Sequence, residues 1–130
     1  MDIKEYLNGI QHVGIPTNDI EKTVDFYKSI GFEENLVTVN EETNQKVVFL
    51  SCGNLIVETY ENKEACMKVG AIDHISIDVK DIEKVFDIIS KGNYEMVTDK
   101  IQFLPFWEKG VKFFIILGPN KEKVEFAQKL

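Results

Sequence analysis

Short alternating runs and two helical patterns organise the hydrophobic positions of this chain. Residues 10–15 alternate, so that His12 and Gly14 share one face of a predicted strand. Over residues 19–30 the apolar positions recur at helical spacing, and Gly31 follows where a helix commonly ends. The pattern therefore predicts a strand followed by a helix.

Three more strands complete the first half of the chain. They are predicted over 32–39, 46–51 and 54–60. The dipeptide Gly53-Asn54 lies between two apolar runs, which is a strong signal for a hairpin turn. Pro16 is expected to end the first strand, because proline lacks the backbone N–H that a sheet ladder uses.

The same order of patterns begins again after a charged segment. Residues 61–70 are read as a linker or a short helix. A strand is then predicted over 71–78 and a helix over 81–90. Weaker strand patterns lie near 94–99, and stronger ones cover 111–117 and 123–127.

The two halves share a sequence repeat. Residues 10–15 (IQHVGI) return as residues 72–77 (IDHISI), and residues 19–22 (DIEK) return as 81–84, both at an offset of 62 positions (12 to 74 for the histidines). His12 and His74 are the only histidines in the chain, and they occupy equivalent places in the repeat. The two histidines are therefore the first candidates for a shared site.

The repeat indicates an α+β fold in which each half has the order βαβββ. We expect eight strands and two helices, arranged as paired four-stranded curved sheets with one helix on the back of each. Residues 1–130 are read as a single domain. Its two modules are predicted over 9–60 and 71–128, and the linker 61–70 joins them.

The charge of the chain narrows the possible partners. The formal net charge is −7, and all 15 basic residues are lysines. This balance argues against nucleic-acid binding, and the absence of arginine removes the usual bidentate clamp for carboxylates and phosphates. No apolar run approaches the length of a membrane helix, and two cysteines outside any CxxC pair favour reduced thiols. We expect a cytoplasmic protein that does not bind a membrane.

Four side chains are predicted on the sheet faces that turn away from the helices. Strand alternation places His12, Glu58, His74 and Glu125 there, each in the middle of a strand. Imidazole nitrogens and carboxylate oxygens suit divalent zinc, nickel, cobalt, manganese or iron. The simpler alternatives are histidines that are hydrogen-bonded within the core or at the surface, and glutamates on a solvated outer face.

The sequence resembles the vicinal-oxygen-chelate superfamily, which includes glyoxalase I, methylmalonyl-CoA epimerase, extradiol dioxygenases and antibiotic-resistance proteins. The stretch IxHVGIPTNDIEKTVDFYKSIGF, the strand GNLIVE and the closing GPNKEKVEF carry the resemblance. It implies a glyoxalase-like fold with a divalent metal (Ni, Zn, Co or Mn) bound by His12, Glu58, His74 and Glu125. Within the superfamily, a glutamate at the position of Glu58 is most like glyoxalase I.

The resemblance also implies a reaction. A glyoxalase I-like lyase or isomerase converts the hemithioacetal of methylglyoxal and a thiol to a 2-hydroxyacyl thioester by enediolate proton transfer. Glu125 matches the principal base, and Glu58 would be a ligand or a second base. Phe103, Phe106 and Trp107 fall where the family places a loop near the substrate pocket, although they could equally be core aromatics. Glutathione recognition in that family resembles an arginine clamp, which this chain lacks.

Other functions fit the same residues. One alternative is a methylmalonyl-CoA epimerase-like enzyme, and another is a non-catalytic, resistance-type protein that binds a small molecule. A further alternative is a dimeric α+β domain without activity, because a fold does not fix a function. An exposed sheet edge would favour a homodimer in each case.

Overall fold

The computed structural model describes residues 2–130 and divides them into two compact units. The first unit extends to Ala65, and the second comprises Cys66–Leu130. Neither contains a helix long and apolar enough to cross a membrane, as far as residues 2–130 are concerned.

The first unit contains a four-stranded sheet and one helix. A 3-10 turn over Ile3–Tyr6 precedes them. The helix, α1, covers Ile20–Ser29. The strands are β1 (Val13–Thr17), β2 (Glu33–Asn40), β3 (Gln45–Cys52) and β4 (Leu55–Glu61). Their order in the sheet is β1-β4-β3-β2, in which β1 is parallel to β4 and the other pairs are antiparallel.

Helix α1 is capped at both ends. The Asp19 carboxylate accepts a hydrogen bond from the backbone N–H of Lys22 at 3.1 Å. A second carboxylate, from Glu61 on β4, accepts the N–H of Ile20 at 2.9 Å. Gly31 follows the helix with φ +105°, a conformation that glycine adopts without strain. The helix predicted over 19–30 is thus confirmed, as is the glycine that follows it.

The second unit repeats this plan with one additional short strand. Its helix, α2, covers Ile82–Ser90. The strands are β5 (His74–Asp78), β6 (Glu95–Met96), β7 (Gln102–Leu104), β8 (Val111–Leu117) and β9 (Lys123–Lys129). The sheet order is β5-β9-β8-β6, and β7 also pairs with β8. The N–H of Ile82 donates to the side chain of Gln128 at 2.9 Å, which repeats the contact between Ile20 and Glu61.

Each unit has its own aromatic and aliphatic core. In the first, the buried ring of Tyr27 on α1 meets Phe32 edge to face at 5.2 Å. In the second, Phe86 on α2 meets Phe114 at 5.1 Å, and Phe114 stacks on Phe126 at 5.0 Å. These rings fix helix α2 against the face of the sheet that carries Phe126. Since side chains alternate along β9, Glu125 lies on the face away from the helix.

The α+β class and the βαβββ order are confirmed, and three details differ. The second sheet has five strands because 94–104 forms two short strands, β6 and β7, along the same edge of β8. Residues 61–70 contain no helix within the described part of the chain. Pro16 was expected to end the first strand but lies inside β1, which is tolerated because β1 is an edge strand of its sheet.

Candidate functional site

The first unit brings His12 together with Glu58. The imidazole Nε2 lies 3.4 Å from the Glu58 Oε1 atom, and both side chains are partly exposed. The other ring nitrogen, Nδ1, lies 2.9 Å from the side-chain oxygen of Gln11, to which it can donate. The ring edge also contacts Phe49, with 5.5 Å between centroids. His12 is therefore held from two sides, with Nε2 facing the carboxylate.

A glycine lies beside Glu58 on the same face of the sheet. Gly14 lies in register with Glu58 across the parallel strands β1 and β4. A Cβ atom at Gly14 would stand 3.7 Å from the Glu58 Oε1 atom and 3.7 Å from the Tyr60 ring. Gly14, Glu58 and Tyr60 thus share one face of the sheet, as the alternation predicts.

The second unit brings His74 together with Glu125 in the same way. The Nε2 atom of His74 lies 2.9 Å from the Glu125 Oε2 atom. Its Nδ1 atom lies 2.9 Å from the Asp73 Oδ2 atom. Glu125 is in register with Ser76, two residues after His74, just as Glu58 is in register with the residue two after His12. The repeat therefore builds the same contact twice.

The carboxylates around His74 have opposite pKa shifts. Burial raises the pKa of Glu125 above its ordinary value, and the nearby His74 opposes this only in part. The pKa of Asp73 is lowered by its hydrogen bond with His74 and then by one from Lys123, whose Nζ donates at 3.2 Å. Asp73 is thus held as a carboxylate, while Glu125 keeps a proton to a higher pH.

The sequence predicted both histidines in the middle of strands, and this prediction is wrong. His12 precedes β1, whose pairing with β4 begins at Val13, and His74 is the first residue of β5. Residues 10–12 have no partner in the pairing of β1 with β4, so this ladder begins only at Val13. The glutamates do lie within strands β4 and β9.

The side chains of the His–Glu pair in each unit are of the kinds that bind divalent cations. Each unit offers one imidazole nitrogen and one carboxylate oxygen that lie close together, 3.4 Å apart in the first unit and 2.9 Å apart in the second. Within either unit, residues 2–130 include no group of three or more His, Cys, Asp or Glu side chains that could hold a metal. Each unit alone therefore supplies two of the four predicted ligands.

The three predicted pocket aromatics lie at the surface of the second unit. Phe103 is in β7, and Phe106 and Trp107 follow it; all three side chains are more than half exposed. The rings of Phe106 and Trp107 meet edge to face at 6.3 Å, and the Lys129 ammonium lies 5.0 Å from the Trp107 ring centroid. The core role considered as an alternative is wrong for these residues, because none of them is buried.

Three residues around the histidines escaped the sequence reasoning. Gln11 and Asp73 each contact the Nδ1 atom of the following histidine, and Lys123 contacts Asp73. The repeat contained a signal for the first two, since both precede a histidine at equivalent positions. Lys123 had no such signal, because its role depends on the register between β5 and β9.

A groove of the first unit lies on the opposite face of its sheet. It encloses about 650 Å³ between α1 and strands β2 and β3, and it is lined by Ile20, Val24 and Val48 among others. Val48 is in register with Thr59, the neighbour of Glu58, so the groove is on the helix side. It is separate from the His12–Glu58 contact.

Known proteins resemble this chain over nearly its whole length. The Bacillus subtilis protein YwbC is 24% identical over 125 residues, which cover 92% of this chain and 97% of YwbC. A glyoxalase family protein from Enterococcus faecalis superposes with a TM-score of 0.76 at 20% identity, covering 94% of this chain and 98% of that one. The fosfomycin resistance protein FosX from Listeria monocytogenes, solved with Mn(II) and sulfate, has a TM-score of 0.73 at 15% identity, covering 95% and 94%.

The family model for the Glyoxalase/Bleomycin resistance protein/Dioxygenase superfamily matches residues 9–126. This match spans both copies of the repeat and all four predicted ligand positions. The superfamily predicted from the sequence is thereby confirmed. This chain belongs to the Glyoxalase/Bleomycin resistance protein/Dioxygenase superfamily.

Proposed function

We propose that this chain is a metal-dependent, glyoxalase I-type enzyme that isomerises the hemithioacetal of methylglyoxal and a thiol to a 2-hydroxyacyl thioester. One observation carries the proposal. In each unit an imidazole nitrogen and a carboxylate oxygen converge, at 3.4 Å for His12 and Glu58 and at 2.9 Å for His74 and Glu125. A repeat that preserves this contact twice indicates a role beyond packing.

The four side chains are the proposed ligands of a divalent cation, nickel, zinc, cobalt or manganese. The mixture of two imidazoles and two carboxylates supports this choice, since such ligands suit these ions. The Mn(II) in the similar FosX structure is consistent with it. When bound, the cation would supply Lewis acidity that stabilises negative charge on substrate oxygens.

Glu125 is the proposed general base. Its side chain is 14% exposed, against 26% for Glu58, and its pKa is raised by burial. A carboxylate with a raised pKa is better matched to proton transfer near neutral pH. It would take the proton from the carbon that bears sulfur and return it to the neighbouring carbon. One C–H bond breaks and another forms, and the hydroxyl proton passes from the oxygen on the first carbon to the oxygen on the second, so the reaction is an isomerisation.

The thiol partner is proposed to be one that needs no arginine clamp. The chain has no arginine, and its lysines can act only as point charges toward a carboxylate. Exposed rings at Phe103, Phe106 and Trp107 would offer apolar contact area to the substrate. A thiol that lacks the two carboxylates of glutathione would suit a site with lysines and aromatic rings but no arginine.

The decisive experiment combines metal analysis with an activity assay. The purified protein is analysed for divalent metals and assayed with methylglyoxal and several thiols. Replacing Glu125 by Gln should lower kcat by about 10²- to 10⁴-fold, as expected for loss of a general base. The matched control is Glu83→Gln in the first turn of α2, which should leave turnover unchanged.

Two results would contradict the proposal. The first is wild-type protein that neither contains nor takes up zinc, nickel, cobalt or manganese. The second is unchanged turnover in the Glu125→Gln variant. Exchange of the α-proton of methylmalonyl-CoA in deuterated buffer, without activity on hemithioacetals, would support the epimerase alternative instead.

We also infer a homodimer in a reducing, cytoplasmic environment. Strand β2 forms an edge of its sheet, and its apolar side chains Leu36, Val37 and Val39 are exposed. Cys52 and Cys66 are both free thiols. Light scattering should give twice the mass of the chain, and Val37→Glu should halve it. A monomeric wild-type protein would contradict the dimer.

A further inference from the structure

The imidazole of His74 is held at both ring nitrogens. Asp73 lies 2.9 Å from Nδ1, and Glu125 lies 2.9 Å from Nε2. Asp73 is held in turn by Lys123, whose Nζ atom lies 3.2 Å from one carboxylate oxygen and 3.5 Å from the other. The register of the parallel strands pairs His74 with Lys123, which brings the lysine beside this contact.

The contact at Nε2 places that nitrogen beside Glu125, the other proposed ligand of this unit, so Nε2 is the nitrogen that can share a cation with it. A neutral imidazole has one N–H, and the nitrogen without hydrogen is the ligand. We propose that Asp73 is a positioning residue for the metal centre: it accepts the Nδ1–H of His74 and so presents Nε2 beside Glu125, while Lys123 fixes the Asp73 carboxylate. This inference rests on the metal binding set out under Proposed function.

The first unit contains the equivalent histidine without a carboxylate at its Nδ1 atom. Gln11 stands at the repeat position of Asp73 and offers a neutral amide oxygen to His12 at 2.9 Å. Ile56 stands two residues before Glu58, as Lys123 stands two before Glu125, so an apolar residue replaces the lysine. The contact of His12 with its glutamate is also longer, 3.4 Å against 2.9 Å.

This difference predicts unequal support for the two ligands. A carboxylate that accepts the distal N–H of a ligating histidine fixes the ring and makes the other nitrogen a stronger donor. A neutral amide fixes the ring but polarises it less. The His74 ligand should therefore depend more on Asp73 than the His12 ligand depends on Gln11.

The test measures zinc affinity in matched variants. Asp73→Ala should weaken Zn²⁺ binding by about 10- to 100-fold, the usual effect of removing such a partner. Asp73→Asn, which keeps an acceptor oxygen, and Gln11→Ala should each weaken it less. The control is Asp87→Ala, which breaks the exposed 2.8 Å ion pair between Asp87 on α2 and Lys91, the residue after the helix, and should leave affinity unchanged. Asp73 is exposed, so its variants should remain folded under the conditions of the zinc titration, which circular dichroism checks.

A second readout reports the ring directly. Nitrogen-15 NMR of zinc-loaded wild-type protein has only two imidazoles to resolve, and comparison with a metal-free His12→Ala variant identifies the signals of His74 before zinc is added. We expect His74 to carry its proton on Nδ1 and to bind zinc through Nε2. A proton on Nε2 instead, or wild-type zinc affinity in Asp73→Ala, would overturn the role of Asp73. Wild-type protein that binds no zinc, nickel, cobalt or manganese would fail the proposed function itself, which is a different result.

Discussion

The Nε2 atom of His74 lies 2.9 Å from the Oε2 atom of Glu125, although the two residues are not opposite each other in the sheet. Glu125 is in register with the residue two positions after the histidine. The first unit has the same diagonal relationship, with a separation from His to Glu of 46 residues (12 to 58) instead of 51 (74 to 125). The contact is therefore set by strand register rather than by spacing along the chain.

The raised pKa of Glu125 predicts a pH-dependent effect on stability. Between its ordinary pKa of 4.5 and its higher folded-state pKa, the folded protein holds more protons than the unfolded chain, so stability falls as pH rises. In the metal-free protein, Glu125→Gln should become more stable than wild type as pH rises through that range. Urea unfolding at a series of pH values, with a chelator present, measures the difference.

Glu83 provides a control of opposite sign for this experiment. Its pKa is lowered, chiefly by a hydrogen bond from Lys112 at 2.9 Å. That contribution is present above the ordinary pKa and is lost as pH falls through the folded-state pKa. Glu83→Gln should thus be less stable than wild type at neutral pH and equal to it in acid. Parallel profiles for both variants would contradict the two assignments.

Gly14 should tolerate a small side chain. Its backbone is outside the left-handed region, and a Cβ atom would make ordinary contacts at 3.7 Å with Glu58 and Tyr60. Gly14→Ala should raise the free energy of unfolding by about 0.5 kcal/mol, because glycine weakens a strand through its chain entropy. Gly31→Ala is the contrasting variant, since φ +105° strains alanine and should lower stability by about 1 kcal/mol. Equal effects in denaturant unfolding would refute this account.

The side chains of Glu61 and Gln128 should stabilise the helices that begin at Ile20 and Ile82. Each accepts the first helical N–H at 2.9 Å. Glu61→Ala should lower the free energy of unfolding by about 1–2 kcal/mol, because it removes the acceptor of that N–H. Glu61→Gln should lose less than half of this, since the second unit uses glutamine at the same place. A Gln variant as unstable as the Ala variant would show that the charge, rather than the hydrogen bond, matters.

Trp107 should report ligand binding through its fluorescence. It is the single tryptophan, it is 63% exposed, and the Lys129 ammonium lies over its ring at 5.0 Å. If the predicted pocket includes it, a 2-hydroxyacyl thioester should shift or quench its emission. Lys129→Met should change the emission of the free protein, which calibrates the response to a known contact. No response to the thioester at saturation would remove Trp107 from the pocket.

The site was only partly predictable from the residues. Alternation placed Glu58 and Glu125 on the faces away from the helices, because the period of a strand is two wherever the strand forms. It did not reveal that the histidines lie at or before the start of their strands. Strand ends depend on where pairing begins, and pairing is a property of two segments distant in sequence.

In the fold, too, local features were predictable from the sequence, whereas features that depend on strand pairing were not. The end of helix α1 and the hairpin turn were readable because Gly31 and Gly53 act on their immediate neighbours. The interrupted strand β6–β7 was not, because the residues between the starts of β6 and β8 can be accommodated in many ways. Only their pairing with β8 selects one of them.

The sequence by itself determined the repeat, the βαβββ order, the superfamily and the four candidate ligands, since these depend on residue type and local period. Only the tertiary structure decided which nitrogen of each histidine faces its glutamate and which residue holds the other nitrogen. Asp73 lies next to His74 in the chain, but Lys123 reaches Asp73 only because β5 and β9 pair in one register. Contacts of that kind require the folded sheet.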